Sequence, residues 1–400
     1  MSSFPPSARP FPLFSIGFRP FFLAAGLYAA WSAVAWICFY VRGTEPPHIW
    51  DDIAAWHGHE MLFGFVAAVL AGFLLTAVPN WTKARPIRAW PLAVMVGVWF
   101  AGRLAMHGYF PGSATVAAAI DVLFLPMLGL SLLPAIIRGH STRNVVFFIL
   151  IALLTAMNTI IHAGMAGIDL PLGPQQALTA SIFIVIQMIA VFAGRIIPLF
   201  TRNALKMAGI GFVARSWPAL DALSLGSVAI LVLFALAGQA DTQLAGAVAL
   251  AAGVLNIIRM VPWNGHQAFR MPIVLVLHAG YAWIALGLAV YGYALLLNPS
   301  LQWPALHVLT IGGIGTMTLA MMSRVALGHT GRTILASKPM MAAYALLQLA
   351  VLVRIAGGLG WVDYTVSVAG AGWSWSAAFA VFSVIHLPIL TRPRADGRHD

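Results

Sequence analysis

Residues 56–79 read WHGHEMLFGFVAAVLAGFLLTAVP. Two imidazoles, His57 and His59, and the carboxylate of Glu60 stand at the mouth of an apolar run that reaches about Pro79. A run of this length can cross a bilayer core. Ionisable groups in a lipid-spanning segment are expensive, so these three are functional suspects. A redox metal or a haem would explain why imidazoles in particular are there.

The rest of the chain repeats the pattern. Its 400 residues are 61% hydrophobic and only 8% charged, against roughly 25% charged in a soluble domain. Apolar runs of about 20 residues, the length a bilayer demands, follow one another at approximately 18–40, 57–79, 89–107, 115–137, 143–164, 175–199, 217–238, 243–262, 271–297, 302–328, 338–357 and 369–390. Lipid leaves open backbone groups without partners, so each run must be a helix. The expected fold is all-α, a polytopic membrane protein of about twelve transmembrane helices. No gap is long enough to hold a soluble domain. Residues 1–400 are therefore expected to form a single integral membrane domain with short tails, 1–17 and 391–400.

The net charge of +11 raises nucleic acid as a partner, but its distribution argues against that. Lys83, Arg85 and Arg88 follow the second span, Arg138 and Arg143 the fourth, and Arg202, Lys206 and Arg215 the sixth. Arg259 and Arg270 flank the gap after the eighth, Arg332 and Lys338 follow the tenth, and Arg392, Arg394 and Arg398 lie in the tail. The alternate gaps hold Asp51, Asp52, Asp169, Asp241 and Asp363, with Arg42 the base among them. That alternation follows the positive-inside rule and puts both termini in the cytoplasm. The lipid bilayer, not nucleic acid, is the expected partner.

Cys38 is the single cysteine, which excludes an intrachain disulfide and a thiolate metal cluster. The Pro-rich start lacks the layout of a cleaved signal peptide, so the first span is expected to stay as an anchor. A faint echo joins the second, sixth and tenth spans, which end in Asn80-Trp81-Thr82-Lys83, Phe200-Thr201-Arg202 and His329-Thr330-Gly331-Arg332. It hints at three four-helix units.

Topology sorts the histidines by depth. His57, His59, His107, His162 and His307 fall near outer helix ends, while His278, His329 and His386 fall nearer the inner side. His48, His140, His266 and His399 sit in gaps or the tail, where solvated histidines are ordinary. An outer cluster on several helices suits a haem or metal site, because such sites in bundles draw ligands from facing helices. Residues advance about 100° on a helix, so His57 and His59 face opposite ways and Glu60 lies near His57. The small-residue face below His57 (Gly64, Ala68, Gly72) would accept a flat macrocycle or simply pack a helix. Gly312, Gly313 and Gly315 lie similarly below His307.

Arg103, at the depth of His57, is a candidate partner for a haem propionate. Arg195 and Arg324, near inner ends, are expected to snorkel to the interface. Met317, Met321 and Met322 read as apolar packing rather than a copper-thioether path. There is no phosphate-cradling Gly-Lys motif, nucleophile elbow or paired-carboxylate site.

Six motifs together resemble one family: Phe18-Arg19-Pro20-Phe21-Phe22, WHGHEMLFGF from Trp56, LLTAVPNWT from Leu74, GRIIPLFTR from Gly194, LHAGYAWIALGL from Leu277 and RVALGHTGR from Arg324. They look like the NnrS family, and the resemblance spans nearly the whole chain. It implies a twelve-helix inner-membrane protein containing haem and copper, associated with nitric oxide metabolism and nitrosative stress.

A more distant resemblance is to haem–copper oxidase subunit I and its nitric oxide reductase relatives. His57-Gly58-x-x-Met61-Leu62-Phe63, followed by Gly72 and Val78-Pro79, is similar to their second-helix motif, and the run from His307 to Gly313 to their tenth-helix segment. The resemblance implies a bundle of three four-helix units in which His57 and His307 sandwich a haem b, with Gly64 and Gly313 beneath them. It also departs. Ala305 stands where the high-spin haem ligand would be, and the sixth and seventh spans, which supply the copper ligands in oxidases, hold no histidine. A copper or non-haem iron would need a rebuilt site from His59, Glu60, His162, His278 or His329. Glu60, beside His59, would there serve a hard metal or relay protons, the candidate catalytic role.

Two functions are carried forward. One is a haem protein acting on nitric oxide with an electron donor, as an oxidoreductase similar to nitric oxide reductase or by electron transfer alone. The other is a secondary transporter, a class in which twelve helices are common.

Overall fold

The computed structural model describes residues 11–398 apart from 110–112, 140–141, 212–214 and 216, and only the backbone of 142 and 143. Among the described residues twelve helices are long and apolar enough to cross a membrane, and there is no strand. The protein is an all-helical, multi-pass membrane protein. The helices are α1 (Phe18–Arg42), α2 (Ile53–Thr82), α3 (Ala89–Met106), α4 (Ala114–Arg138), α5 (Asn144–Met165), α6 (Pro174–Met207), α7 (Pro218–Leu236), α8 (Gln243–Trp263), α9 (Pro272–Leu297), α10 (Pro299–His329), α11 (Lys338–Gly358) and α12 (Tyr364–Thr391). Each overlaps one apolar run of the sequence.

Local chemistry sets where they begin. Asp52 Oδ1 accepts from the Ala54 amide at 2.8 Å and starts α2. Asp363 accepts from Val366 N at 3.0 Å and starts α12. Thr242 accepts from Ala245 N at 3.3 Å and starts α8. Such side chains satisfy amide donors that a helix start leaves open. All three helices are even-numbered and begin on the face opposite the chain ends, called here the distal face.

The start of α1 and the end of α12 meet on the other, terminal face. Arg19 is fully buried, and its Nη1 donates to the carbonyls of Ile389, Leu390 and Arg392 at 3.3, 2.9 and 2.8 Å. A guanidinium there satisfies carbonyls that the end of α12 leaves without amide partners. Arg19→Met is expected to lower stability by about 3 kcal/mol, the scale of a charged hydrogen bond with a buried acceptor left open. Thermal unfolding in detergent, read against Arg85→Met as an exposed control, measures it.

The most buried spans are α2 and α10, then α6. Contacts join α2 to α6 and α6 to α10, so these three sit at the centre. One continuous apolar core runs from α1 to α12. Small residues bring backbones close, as at Gly253, where a Cβ would lie 2.5 Å from Ala289 N on α9.

Two central helices share an irregularity. The α-helical turns of α2 give way at Glu60–Val66 to π-helix and resume at Ala67. In α10 the same happens over Val308–Gly315. Each π-segment begins just after a histidine of the sequence motifs. Such segments are rare and gather at functional sites. A third helix is broken at Leu123, between Ala114–Val122 and Phe124–Arg138 of α4. Pro126 explains it, since proline has no N–H for the Val122 carbonyl and its ring crowds that turn.

Two charges differ from their expected places. Arg259 is buried within α8, not at a gap. It pairs with Asp221 of α7 at 2.7 Å and donates to Ala190 O of α6 and Tyr281 Oη of α9 at 3.0 and 2.7 Å. Arg324 is buried with its guanidinium 3.9 Å from the ring centre of Phe200, instead of reaching the interface. A cation finds a partner inside a helical bundle at less cost than in lipid.

Candidate functional site

His57 and His307 line one cavity of about 390 Å³ near the distal face, within the roughly 300–1,000 Å³ usual for small-molecule sites. Its apolar walls include Met61, Phe65, Leu178, Ile182, Ile311 and Trp375. Each helix lines it with one face. From α2 these are Ala54, His57 and Gly58, Met61 and Leu62, Phe65 and Val66; from α10, Trp303, Leu306 and His307, Thr310 and Ile311, and Ile314. Along α2 the repeat from His57 through Met61 to Phe65 is four, wider than the 3.6 of an α-helix that the α10 residues keep. Two helices thus turn aligned faces to one space over three turns.

The polar groups of the cavity are sparse. The His57 ring stacks on Trp36 with centroids 4.3 Å apart. Its Nδ1 is buried and has no hydrogen-bond partner among the described residues. His307 Nδ1 donates to the Trp303 carbonyl at 2.9 Å, which leaves the lone pair on Nε2. Arg354 of α11 also lines the cavity. It donates to Tyr364 Oη at 2.5 Å and lies over that ring, 4.4 Å from its centre. Among the described residues no carboxylate pairs with Arg354.

A second polar group occupies the opposite side of α2. Glu60, Arg103 and Asp121 are buried there with His59, Asn158 and His162. Arg103 donates to Glu60 Oε1 at 2.5 Å and to Asp121 Oδ1. Tyr28 donates to Glu60 Oε2. His59 Nδ1 lies 2.8 Å from Glu60 Oε1, and its Nε2 lies 2.9 Å from Asn158 Oδ1 and 3.2 Å from Asp121 Oδ2. His162 Nε2 lies 3.0 Å from Asp121 Oδ2. Five helices, α1 to α5, contribute to the cluster.

The family model described as NnrS protein matches residues 12–394. The chain belongs to the NnrS family. No curated protein matches it in sequence. Membership supports a role in nitric oxide-related metabolism and does not favour a transporter. NnrS proteins are associated with haem and copper. The cavity offers what a haem requires: imidazole nitrogens on two helices, apolar walls, and an arginine suited to carboxylates. The cluster offers a buried His59–Asp121–His162 set, whose ligand atoms lie within 4.8 Å of one another.

The structure distributes the sequence-derived candidates of this NnrS protein unevenly. His57 and His307 share the cavity, while His59, Glu60 and His162 share the cluster. Glu60 reaches towards α1 and α3, away from the cavity lining. Arg103, expected at a propionate, is committed to two carboxylates. Gly64 does not line the cavity: a Cβ there would lie 3.1 Å from Arg103 Nη1. Gly313 instead admits Ile284 of α9, 2.5 Å from where its Cβ would be. His278 lies apart, 2.9 Å from Thr201 Oγ1, and His329 packs on the Phe18 ring. His107 donates to the Arg103 carbonyl at 2.6 Å, and His386 to that of Phe382 at 3.0 Å. His48 and His266 are exposed, while His140 and His399 lie outside the described residues.

Sequence reasoning missed Asp121, Asn158, Tyr28, Trp36 and Arg354. Asp121 is the one acid of the fourth span, and Arg354 the one charge of the eleventh beyond its first residue, Lys338. Both carried the same signal as Glu60, a charge within an apolar run.

Proposed function

We propose that this protein holds a haem b in the cavity between α2 and α10 and acts through it in nitric oxide-related metabolism. The observation that carries this is the convergence of His57 and His307 on one apolar cavity, His307 directly before one π-segment and His57 three residues before the other. His57 and His307 would hold the haem through their imidazole nitrogens. The Trp303 carbonyl holds the His307 ring by its Nδ1, the kind of outer contact that fixes a ligating tautomer. Trp36, stacked on His57, limits the rotation of that ring. A bound haem would supply a redox-active iron for electron transfer. The apolar walls would keep water from it.

Arg354, already fixed by Tyr364, would meet the anionic edge of the haem. The basic loops of the terminal face would lie in the cytoplasm of a bacterial inner membrane, putting the cavity near the outer surface. An electron donor is required for turnover.

The test is an optical spectrum of the purified protein. A reduced b-type spectrum at one haem per chain is the expected result. Protein purified from haem-sufficient cells without such absorbance would overturn the assignment. Arg354→Leu is expected to weaken haem retention about ten-fold, the loss of one charge-assisted contact. Haem transfer to excess apomyoglobin measures it, and Arg354→Lys should recover part of the loss.

A further inference from the structure

The cluster behind α2 has the construction of a metal centre. His59 from α2, Asp121 from α4 and His162 from α5 are all buried, and their ligand atoms approach within 4.8 Å of one another. The second ring of contacts orients each donor. Glu60 Oε1 lies 2.8 Å from His59 Nδ1; accepting that proton leaves the lone pair on Nε2, which points inward. A carboxylate behind a histidine is the usual support of a metal ligand. Arg103 holds Asp121 by Oδ1, so Oδ2 faces both imidazoles. Asn158 donates to that Oδ2 at 2.8 Å and turns its own Oδ1 to His59 Nε2 at 2.9 Å.

The lone pairs of His59 Nε2, Asn158 Oδ1 and Asp121 Oδ2 therefore converge with no donor between the first and the other two. Charge points the same way. Glu60 and Asp121 face the single guanidinium of Arg103, so two negative charges meet one positive with the imidazoles neutral. A buried group of this kind calls for one more positive charge.

We propose that His59, Asp121 and His162 bind a divalent first-row transition metal, in a site separate from the cavity of His57 and His307. Two imidazoles and one carboxylate, without sulfur, are the donor set of non-haem iron(II) centres, and imidazole also suits copper and zinc. Asn158 Oδ1 is a fourth donor. Trp50 and Phe63, each with its ring centre 5.0 Å from that of His59, wall the site.

The experiment is metal analysis of the full-length protein in detergent, after a chelating wash and add-back of iron(II), copper(II) or zinc in turn. Haem is quantified in the same samples, so failure of this site and failure of the haem assignment are distinguishable. One non-haem ion per chain is expected. Asp121→Asn and His162→Gln should each lower affinity at least about ten-fold, while His57→Ala leaves it unchanged. No ion retained by the wild type after add-back overturns the proposal and assigns the missing charge to a proton. Wild-type metal content in both variants overturns it as well. Should either variant fail to fold, electron paramagnetic resonance of the copper(II)-loaded wild type decides. Superhyperfine coupling to two imidazole nitrogens is expected, and its absence overturns the proposal.

Discussion

His57→Ala and His307→Ala are each expected to lower haem content by roughly ten-fold or more, since even outer-shell changes weaken metal sites 10–100-fold. Haem per chain, from the pyridine haemochrome of purified protein, is the measurement. The two positions should behave alike because both histidines line one cavity. Neither ring is required for packing in the way a core residue is: both are only half-buried. Alanine there enlarges an existing cavity, so protein yield should hold while haem falls. His48→Ala, in an exposed connection, is the control and should keep full haem. His307→Met offers a finer test, because a thioether in place of an imidazole raises the potential of a haem. A spectrum unchanged by all three cavity substitutions would place the haem elsewhere.

The π-segments explain why part of this site could be read from sequence and part could not. The twelve apolar runs were legible because bilayer thickness fixes their length. The opposite facing of His57 and His59 was legible because the helix is regular up to His59. Beyond Glu60 the turn widens, and a wheel drawn at 3.6 residues drifts off the true face. Gly64 then falls on the Arg103 side and Phe65 on the cavity. Gly313 fails more simply: six residues past His307 it lies about 120° round the helix, with Ile311 and Ile314 at the cavity instead. No composition signal marks a π-turn, although glycines occur in both segments.

Arg103 illustrates a different limit. Depth placed it beside His57, yet depth does not say which side of α2 it faces. Its partner Asp121 lies 18 residues away, on a helix bent at Pro126. The acidic outer gaps carry a further lesson. Asp52 and Asp363 cap helices, so the alternation of charge owes something to even-numbered helices starting on one face, besides the retention of bases on the other.

Loss of the Arg103 guanidinium is expected to be the most destabilising single change in the protein. Arg103→Leu leaves Glu60 and Asp121 buried with no guanidinium between them. Breaking a buried pair from one side typically costs 3–5 kcal/mol, and here two carboxylates lose the same partner. Leucine fills much of the space, so the cost arises from charge more than from volume. The combination Arg103→Leu, Glu60→Gln, Asp121→Asn should recover most of the loss, because it removes the unpaired charges along with the arginine. Unfolding midpoints in detergent across the single and triple variants measure that recovery. The Gly64 carbonyl keeps its bond from Trp99 Nε1 at 2.9 Å in every variant, so the junction of α2 and α3 retains one anchor and the triple variant has a scaffold on which to fold. Equal stability of Arg103→Leu and the wild type would mean that neither carboxylate is charged inside the bundle.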